Sequence, residues 1–449
     1  MYKRSAEREA IDRAIRLTPT AVSVPAGATP PPPPSPTPTP VTAGPPRAEY
    51  ETLAPARESR GMRLEPVADN GLPISGMWRA SFVVADMNGD GIPDIVAPPS
   101  RMSDDAKPHV WIGNGKGSFS SWPLQFSENG KPSPEFAIGY GAVAVGDIDG
   151  DGRPDIVTAS HGGGLISLFG EGGGKFRIVR TGLPDHDFSS QAITLMDADG
   201  DGKLDIVASA DTLLGATNYT HVRVYLYRGA KGWEFKPDGI VGGFHSNSLH
   251  AWDYNKDGRP DLLTGSHLLE GLVLLWKNLG GGKFESVPIP EMDGYAYHFA
   301  TVPGTFGKRR VPAFADSYYL VSPSQDLRTT TIMVYSFENG RWSRHPVWRK
   351  ESGKSTQNAL AMGDLDGDGL DDIVFADSEV NRLRVFFQKP DGSFSEMAEK
   401  DEPVLDSPGQ CIQLADLDGD GRLDVVLSKT LSSDRLNDRG GWSVYLNKR

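Results

Sequence analysis

One acidic nonapeptide recurs along the chain, and its oxygen-bearing side chains keep the same spacing each time. The copies begin at residues 86, 147, 197, 253, 364 and 416 and read DMNGDGIPD, DIDGDGRPD, DADGDGKLD, DYNKDGRPD, DLDGDGLDD and DLDGDGRLD. Carboxylate or carboxamide oxygens stand at positions 1, 3, 5 and 9, and a glycine at position 6 permits a sharp turn. Because these oxygens and the carbonyl at position 7 can converge on one hard cation, the pattern predicts Ca²⁺, with Mg²⁺ as the second candidate.

Two alternatives share part of this pattern. An EF-hand needs a bidentate Glu at position 12 and a following helix. Position 12 is here apolar or Thr, and a β-branched segment follows; the residues are Ala97, Thr158, Ala208, Thr264, Phe375 and Leu427. Metal-free Asx turns are the other alternative. Six copies with the same four oxygen positions favour a metal, because clustered carboxylates repel one another unless a cation neutralises them.

The segments around each acidic loop predict an all-β repeat. The loops are 50 to 61 residues apart, except for one interval of 111 that holds a degenerate copy near Thr305. The resulting seven units share a plan of four short runs rich in β-branched and aromatic residues, separated by Gly and Asp turns. Four antiparallel strands in about 50 residues are typical of a propeller blade. We therefore predict a seven-bladed β-propeller with four-stranded antiparallel blades.

The two ends of the repeat array predict how the ring closes. The last unit ends at its third strand, GWSVYLNKR, with no fourth strand after it. The first unit is preceded by GMRLEPVADNGLP, which resembles the fourth strand of the second unit, GKFRIVRTGLP. We therefore expect an N-terminal strand within 61–73 to complete the last blade. The domain boundaries that follow are a short polar segment at 1–18, a Pro-rich disordered linker at 19–60 and the propeller at 61–449.

The D-x-D-x-D-G-x-x-D loop between two strands, repeated around seven units, resembles the FG-GAP/VCBS repeats of integrin-α-like β-propellers. The resemblance covers residues from about 61 to 449 and implies about six structural Ca²⁺ ions, each in the loop joining the first and second strands of a blade. The ligands it implies are Asp86, Asn88, Asp90 and Asp94; Asp147, Asp149, Asp151 and Asp155; Asp197, Asp199, Asp201 and Asp205; Asp253, Asn255, Asp257 and Asp261; Asp364, Asp366, Asp368 and Asp372; and Asp416, Asp418, Asp420 and Asp424.

The fifth unit departs from this pattern. Pro303, Thr305, Gly307 and Val311 occupy its ligand positions, and the basic run at 308–310 crowds its turn. We predict that this loop does not bind Ca²⁺ in the manner of the other six and that its basic turn faces solvent.

Composition excludes several functions and helps to place the protein. The formal net charge of −13 argues against a nucleic-acid binder, which would carry a basic surface. The single Cys411 excludes intrachain disulfides and is expected to be a buried free thiol. No apolar run is long enough to span a membrane. Weak Ca²⁺ modules need millimolar calcium, so we expect an extracytoplasmic location, secreted or at the cell surface, although no signal peptide is visible.

Six Ca²⁺ ions would bring the formal charge close to neutral, at about −1. The acidity of the chain therefore belongs largely to the loops.

Polar and aromatic residues gather in the segments between blades, on the side opposite the acidic loops. An amide stands six positions before the first Asp in four units, and aromatic or imidazole side chains occur nearby. Such groups around a channel mouth suit a sugar or peptide ligand, and the candidate ligand-binding residues are Trp78, Tyr140, Gln191, Asn247, Tyr297, His298, Asn358 and Gln410.

The function predicted from these features is a non-catalytic, calcium-stabilised scaffold that binds a protein or glycan partner on the face opposite the calcium loops. The N-terminal Pro-rich segment is a candidate tether to a partner or surface. The alternative is a propeller enzyme acting on polysaccharide, a lyase or hydrolase. The sequence carries no catalytic signature such as G-x-S-x-G or H-E-x-x-H, so no catalytic residue is assigned.

Overall fold

The computed structural model describes residues 51–78, 81–101, 106–133, 138–185, 188–210, 222–240, 246, 248–271, 274–289, 296–321, 328–351, 359–431 and 439–449. All of them belong to one compact unit that spans residues 44–449. The polar segment predicted at 1–18 and the greater part of the linker predicted at 19–60 lie outside the described residues. The described chain contains no α-helix, and one 3-10 turn spans Gly229–Lys231.

Seven antiparallel sheets follow one another along the chain, which confirms the predicted seven-bladed propeller. In order from the innermost strand outwards, the strands are as follows: blade 1, Val83–Ala85, Asp94–Ala97, His109–Gly113 and Phe119–Ser121; blade 2, Gly141–Gly146, Asp155–Ser160, Gly164–Gly172 and Lys175–Val179; blade 3, Ser190–Met196, Asp205–Ala210, Val222–Tyr227 and Trp233–Lys236; blade 4, Leu249–Trp252, Asp261–Thr264, Leu274–Gly280 and Lys283–Val287; blade 5, Ala296–Phe306, Val311–Val321, Arg328–Glu338 and Arg341–Glu351; blade 6, Ala359–Gly363, Asp372–Asp377, Arg382–Gln388 and Phe394–Met397; and blade 7, Gly409–Ala415, Asp424–Lys429, Gly441–Lys448 and Arg63–Pro66.

The outer strand of blade 7 comes from the N-terminal side of the ring, as predicted. Arg63–Pro66 pairs antiparallel with Gly441–Lys448, with Arg63 opposite Lys448 and Pro66 opposite Tyr445. Leu64 is buried there in the core between blades 6 and 7. This pairing joins the two ends of the array and covers what would be a free sheet edge.

Contacts with the ring begin before residue 61, the boundary expected from composition. Arg57–Glu58 forms a short parallel pair with the outer strand of blade 6, and Leu53 bridges Arg349 in blade 5. We call residues 53–66 the N-terminal strap, because this segment follows the outer edges of blades 5, 6 and 7 in turn. Its first residues lack alternating hydrophobicity, so their pairing follows from tertiary contacts rather than from a strand pattern.

Three further strands extend individual blades. Gln125–Glu128 and Lys131–Pro132 add to the outer edge of blade 2, and Ser266–Gly271 pairs with the inner strand of blade 5. Blade 5 also has the longest strands, each of 11 residues.

The core consists of apolar layers between neighbouring blades. The second strand of most blades is buried along its whole length, as in Asp155–Ser160 and Asp372–Asp377. Such strands are covered on both faces, so they are nearly continuous apolar runs rather than alternating ones. Each blade lies against its neighbours in the same orientation. The six acidic loops, each of which precedes the second strand of its blade, therefore lie on one face of the ring.

Candidate metal centres

The Asp at position 1 organises the turn of each acidic loop. In blade 2, Asp147 Oδ1 accepts the N–H groups of Gly150 and Asp151 at 2.8 and 3.0 Å, and Asp147 Oδ2 accepts that of Gly152 at 2.9 Å. The glycines at positions 4 and 6 have positive φ, 78° and 82° in this loop, which brings their N–H groups onto one carboxylate. Loop 4 has Lys256 at position 4 with φ 59°, a conformation that costs a non-glycine residue energy.

The Asp at position 9 anchors the loop to the blade. Asp155 is fully buried; its Oδ2 accepts the N–H of Ile148 at 2.9 Å and its Oδ1 accepts that of Gly170, on the third strand, at 2.7 Å. Blades 1, 3, 6 and 7 repeat both bonds. Burial raises the pKa of Asp155 and Asp205 to about 7 and that of Asp261 and Asp424 to about 6, so each charged carboxylate is electrostatically costly in its site.

Positions 1, 3 and 9 converge in the four loops that carry Asp at all three. One carboxylate oxygen from each of these residues lies within 4.8 Å of the other two in the loops of blades 2, 3, 6 and 7. The groups are Asp147, Asp149 and Asp155; Asp197, Asp199 and Asp205; Asp364, Asp366 and Asp372; and Asp416, Asp418 and Asp424.

Loops 1 and 4 have an amide at position 3, and it is turned toward position 5. Asn88 Nδ2 donates to Asp90 Oδ2 at 2.9 Å, and Asn255 Nδ2 donates to Asp257 Oδ2 at 3.2 Å. Each amide oxygen accepts the N–H of the same Asp.

The Asp at position 5 has a different local role from the other three. Its Oδ1 accepts the N–H of position 7 in all six loops, as Asp90 does from Ile92 at 2.8 Å. In blades 2 and 7 its second oxygen also pairs with a basic side chain, Arg153 with Asp151 and Arg422 with Asp420. From the sequence, the side chains at positions 1, 3, 5 and 9 are equivalent candidate ligands. In the structure, those at positions 1, 3 and 9 lie close together, whereas the position 5 side chain stabilises the turn.

The donor set fits a hard cation. Asp149 Oδ1, Asp418 Oδ1 and Asp261 Oδ2 are buried oxygens with no hydrogen-bond partner, and buried acceptors of this kind are rare in folded proteins. Three carboxylates whose oxygens lie within 4.8 Å of one another repel, and a Ca²⁺ ion, which takes oxygen ligands, would offset most of their charge.

Basic side chains that the sequence analysis missed lie beside several loops. Arg228 Nη1 is 2.7 Å from Asp199 Oδ2, Lys448 pairs with Asp418, and Arg60 of the strap pairs with Asp366. Arg228 and Lys448 occupy the same place in their blades, directly after the residue whose N–H binds the position 9 carboxylate. That shared place is a signal in the sequence, but Arg60 is 306 residues away from its partner and carries no such signal.

Blade 5 replaces the acidic loop with a tight turn that docks on its neighbour. Arg310 Nη2 lies 2.9 Å from Asp371 Oδ1 and Nη1 donates to the carbonyl of Gly369 at 2.6 Å. Thr305 donates its N–H and hydroxyl to Asp371 Oδ2 at 2.7 and 2.8 Å. Arg310 is half exposed, as expected for a turn that faces solvent, and it also pairs with a buried carboxylate on blade 6.

A family model for the FG-GAP-like repeat matches residues 100–158, 147–208 and 328–427 of the chain. Three stretches of the chain therefore resemble the FG-GAP-like repeat. No curated protein matches the chain.

Solved structures similar to this propeller have low sequence identity to it. A protein from Lactobacillus plantarum is 12% identical with a TM-score of 0.46, and covers 75% of this chain and 88% of its own. The periplasmic gluconolactonase PpgL of Pseudomonas aeruginosa is 16% identical with a TM-score of 0.41, and the alignment covers 74% of this chain and 84% of PpgL. AofleA from Arthrobotrys oligospora is 12% identical with a TM-score of 0.39, and the alignment covers 76% of this chain and 92% of AofleA.

The first strands of all seven blades line a central channel of about 310 Å³. Gln191 and Gln410, both expected at its mouth, line it, together with Gln413, His250 and Cys411. Burial raises the pKa of the Cys411 thiol to about 11, so the thiol is uncharged at neutral pH.

The other predicted ligand-binding residues are more scattered. Trp78 packs in the core against Trp111 and Trp442, with ring centroids 5.6 and 5.3 Å away, so it does not face the mouth. His298 is buried as well, and its Nδ1 lies 2.7 Å from Asp316 Oδ2. Tyr297 stacks on Phe299 at 5.9 Å. Asn247 and Asn358 lie outside the described residues.

Tyr140 belongs to a cluster on the face opposite the acidic loops. The ring centroid of Tyr140 is 4.8 Å from that of His161. The guanidinium carbon of Arg101, which follows the second strand of blade 1, lies 5.1 Å from the Tyr140 ring centroid. Ser189 Oγ and Gln191 Nε2 lie 3.1 and 3.3 Å from His161 Nδ1. The structure therefore brings Tyr140 and Gln191 together through His161, across the junction of blades 2 and 3.

Proposed function

We propose that this FG-GAP-like propeller is a non-catalytic, calcium-stabilised scaffold that binds a protein or glycan partner through the face opposite its acidic loops. The observation that carries the calcium part is the set of buried, unpartnered carboxylate oxygens in loops whose position 1 and position 9 carboxylates are held by backbone N–H groups. About six Ca²⁺ ions, held chiefly by positions 1, 3 and 9, would neutralise these loops and tie each turn to its blade. The chemistry that the ions supply is structural.

The second part of the proposal concerns the opposite face. Gln191 and Gln410 line the channel, and Tyr140 and His161, which lie close to Gln191, are partly exposed. Amide, imidazole and aromatic groups around a concave opening can bind hydroxyl and carbonyl groups of a polar ligand. A rigid ring that holds such groups on one face and structural ions on the other suits a binding module.

The location proposed for the protein is outside the cytoplasm, secreted or at the cell surface, because weak calcium modules are filled at millimolar Ca²⁺. In the part of the chain that the structure describes, no helix has the length and apolar character needed to cross a membrane. The Pro-rich segment N-terminal to the strap is the proposed tether to a partner or surface.

Two measurements test the proposal. Isothermal titration calorimetry with calcium should give several binding events per chain. Calcium binding should weaken in Asp147→Asn, which replaces a ligand carboxylate in the acidic loop of blade 2 by an uncharged amide. Capture of partners on the immobilised, calcium-loaded protein, followed by mass spectrometry and by a glycan array, tests the binding face. A protein that takes up no calcium and captures neither protein nor glycan would refute the proposal.

A propeller enzyme that acts on polysaccharide is the second candidate, and one contact favours it. Ser189 Oγ lies 3.1 Å from His161 Nδ1 beside the channel mouth, within the distance needed for a base to activate a hydroxyl. The His298–Asp316 pair does not serve this function, since both side chains are fully buried. Polysaccharide turnover that Ser189→Ala abolishes would establish the enzyme and refute the non-catalytic scaffold.

A further inference from the structure

Arginines that stack on aromatic rings fall into two groups in this propeller. Arg60, Arg177 and Arg384 each lie over a ring and also have a carboxylate partner. Arg101 lies over Tyr140 and Arg223 lies over Phe188, at 5.1 and 4.7 Å, and neither has a carboxylate within 4.0 Å among the described residues. Stacking positions a guanidinium without neutralising it, so these two keep their charge and most of their donors for a ligand.

The two unpaired arginines are connected through the junction of blades 2 and 3. Arg101 contacts Tyr140, which contacts His161, and His161 Nδ1 lies 3.1 Å from Ser189 Oγ. Phe188 directly precedes Ser189 and lies beneath Arg223. One strip on the face opposite the acidic loops therefore carries a guanidinium at each end, with an imidazole and the amide of Gln191 between them.

Exposure and hydrogen bonding show that this strip can receive a ligand. Arg101 is exposed, and Tyr140, His161, Gln191 and Arg223 are each partly exposed. Arg223 Nε is buried and has no hydrogen-bond acceptor, which is costly for a charged donor. A ligand oxygen close to Arg223 would lower this cost.

We propose that this strip binds an acidic polysaccharide, through carboxylate or sulfate groups on the two guanidiniums and hydroxyl groups on His161 and Gln191. The inference deepens the proposed function, on which it rests, by naming the ligand class. A polymer with repeated negative charges and hydroxyls matches both charged ends and the hydrogen-bonding centre. The formal charge of −13 makes the rest of the surface unattractive to a polyanion, so binding requires a local basic site.

Binding of defined polymers to the calcium-loaded full chain tests this inference. Polygalacturonate supplies carboxylates, a heparin-type glycosaminoglycan supplies sulfates, dextran is the neutral control, and polyglutamate represents an acidic peptide. We expect saturable binding of one or both polyanionic saccharides, no binding of dextran, and weaker binding as salt rises from about 50 to 300 mM. The two saccharides distinguish carboxylate from sulfate recognition.

Substitutions place the binding on the strip. Arg101→Gln and Arg223→Gln should each weaken affinity roughly threefold to tenfold, the range for an exposed to partly buried charged contact. Arg101→Lys should recover only part of the loss, because lysine keeps the charge without the planar fork. Arg341→Gln is the matched control, since Arg341 is exposed on the acidic-loop side of blade 5. All variants should keep the wild-type melting temperature in calcium.

Three outcomes would overturn the inference: no binding of either polysaccharide, equal binding by the Arg101→Gln/Arg223→Gln double variant, or equally tight binding of polyglutamate. The second outcome would show that the polymer binds outside the strip. Calcium uptake and capture of another partner would still support the scaffold in any of these cases, so the failure of this inference is distinguishable from failure of the proposed function.

Discussion

Removal of calcium should lower the melting temperature of the propeller by several degrees. Each ion stabilises the folded ring by RT ln(1 + [Ca²⁺]/Kd), which is about 0.4–1.4 kcal/mol at about 1 mM free calcium for a Kd of about 10⁻³ to 10⁻⁴ M. Six loops together therefore contribute about 2.5–8.5 kcal/mol. A domain of about 400 residues unfolds with an entropy of about 0.8 kcal/mol/K, so we expect a loss of about 3–10 °C.

Differential scanning calorimetry of the same sample in calcium and in excess chelator measures this shift. Asp147→Asn should reduce the difference between the two conditions by about one sixth, because it weakens one of six sites. Asp69→Asn is the matched control: Asp69 is an exposed carboxylate outside the loops, and its variant should keep the full difference. A chelated protein that melts within about 1 °C of the calcium-loaded one would show that the loops are metal-independent Asx turns.

Further predictions concern the docked turn, the buried carboxylates, the aromatic core and the closing strand. Arg310→Gln should lower the free energy of unfolding, measured in urea, by about 1–2 kcal/mol. This loss is smaller than that expected for a fully buried ion pair, because Arg310 is half exposed. An unchanged urea midpoint would contradict its contact with Asp371. In chelator, the pKa of Asp155 and Asp205 is about 7 in the folded protein, above the value in the unfolded chain. Protonation of these two carboxyls therefore stabilises the fold fully below about pH 4, and this stabilisation is lost as the pH rises through 7. The melting temperature gained on adding calcium should therefore be larger at pH 7.5 than at pH 5.5, and a smaller gain at pH 7.5 would refute this. Trp78→Ala should cost about 3–5 kcal/mol in calcium and in chelator alike, whereas a surface ligand residue would change stability little. Leu64→Ala should cost about 2–4 kcal/mol, and no loss would argue against closure by that strand.

The acidic loops and the ring could be predicted from sequence because both depend on short-range patterns. The bonds around the position 1 carboxylate span at most five residues, so their residue types and spacing specify the turn. Seven units with four strands each follow from the repeat and from strand composition. The closing strand was predictable because Arg63–Pro66 resembles the outer strand of another blade, and similar strands occupy similar places in a repeat protein.

The tertiary structure alone decided which charges meet. Arg60 reaches Asp366 across 306 residues, and Arg310 reaches Asp371 on the next blade. Such contacts depend on how blades are placed around the ring, and the sequence near either partner does not encode that placement. The same reason explains why Trp78, expected at the mouth, lies in the core: residues before a first strand can turn toward the channel or between two blades, and an aromatic side chain gains more by burial.

The sequence by itself determined the repeat, the number of blades and the acidic loops, since these are local properties of each unit. The tertiary structure decided how the four oxygens of a loop divide their roles, because position 9 is fixed by the third strand of its blade. It also decided the opposite face, where Arg101, Tyr140 and His161 come from different blades or strands and meet only in the closed ring.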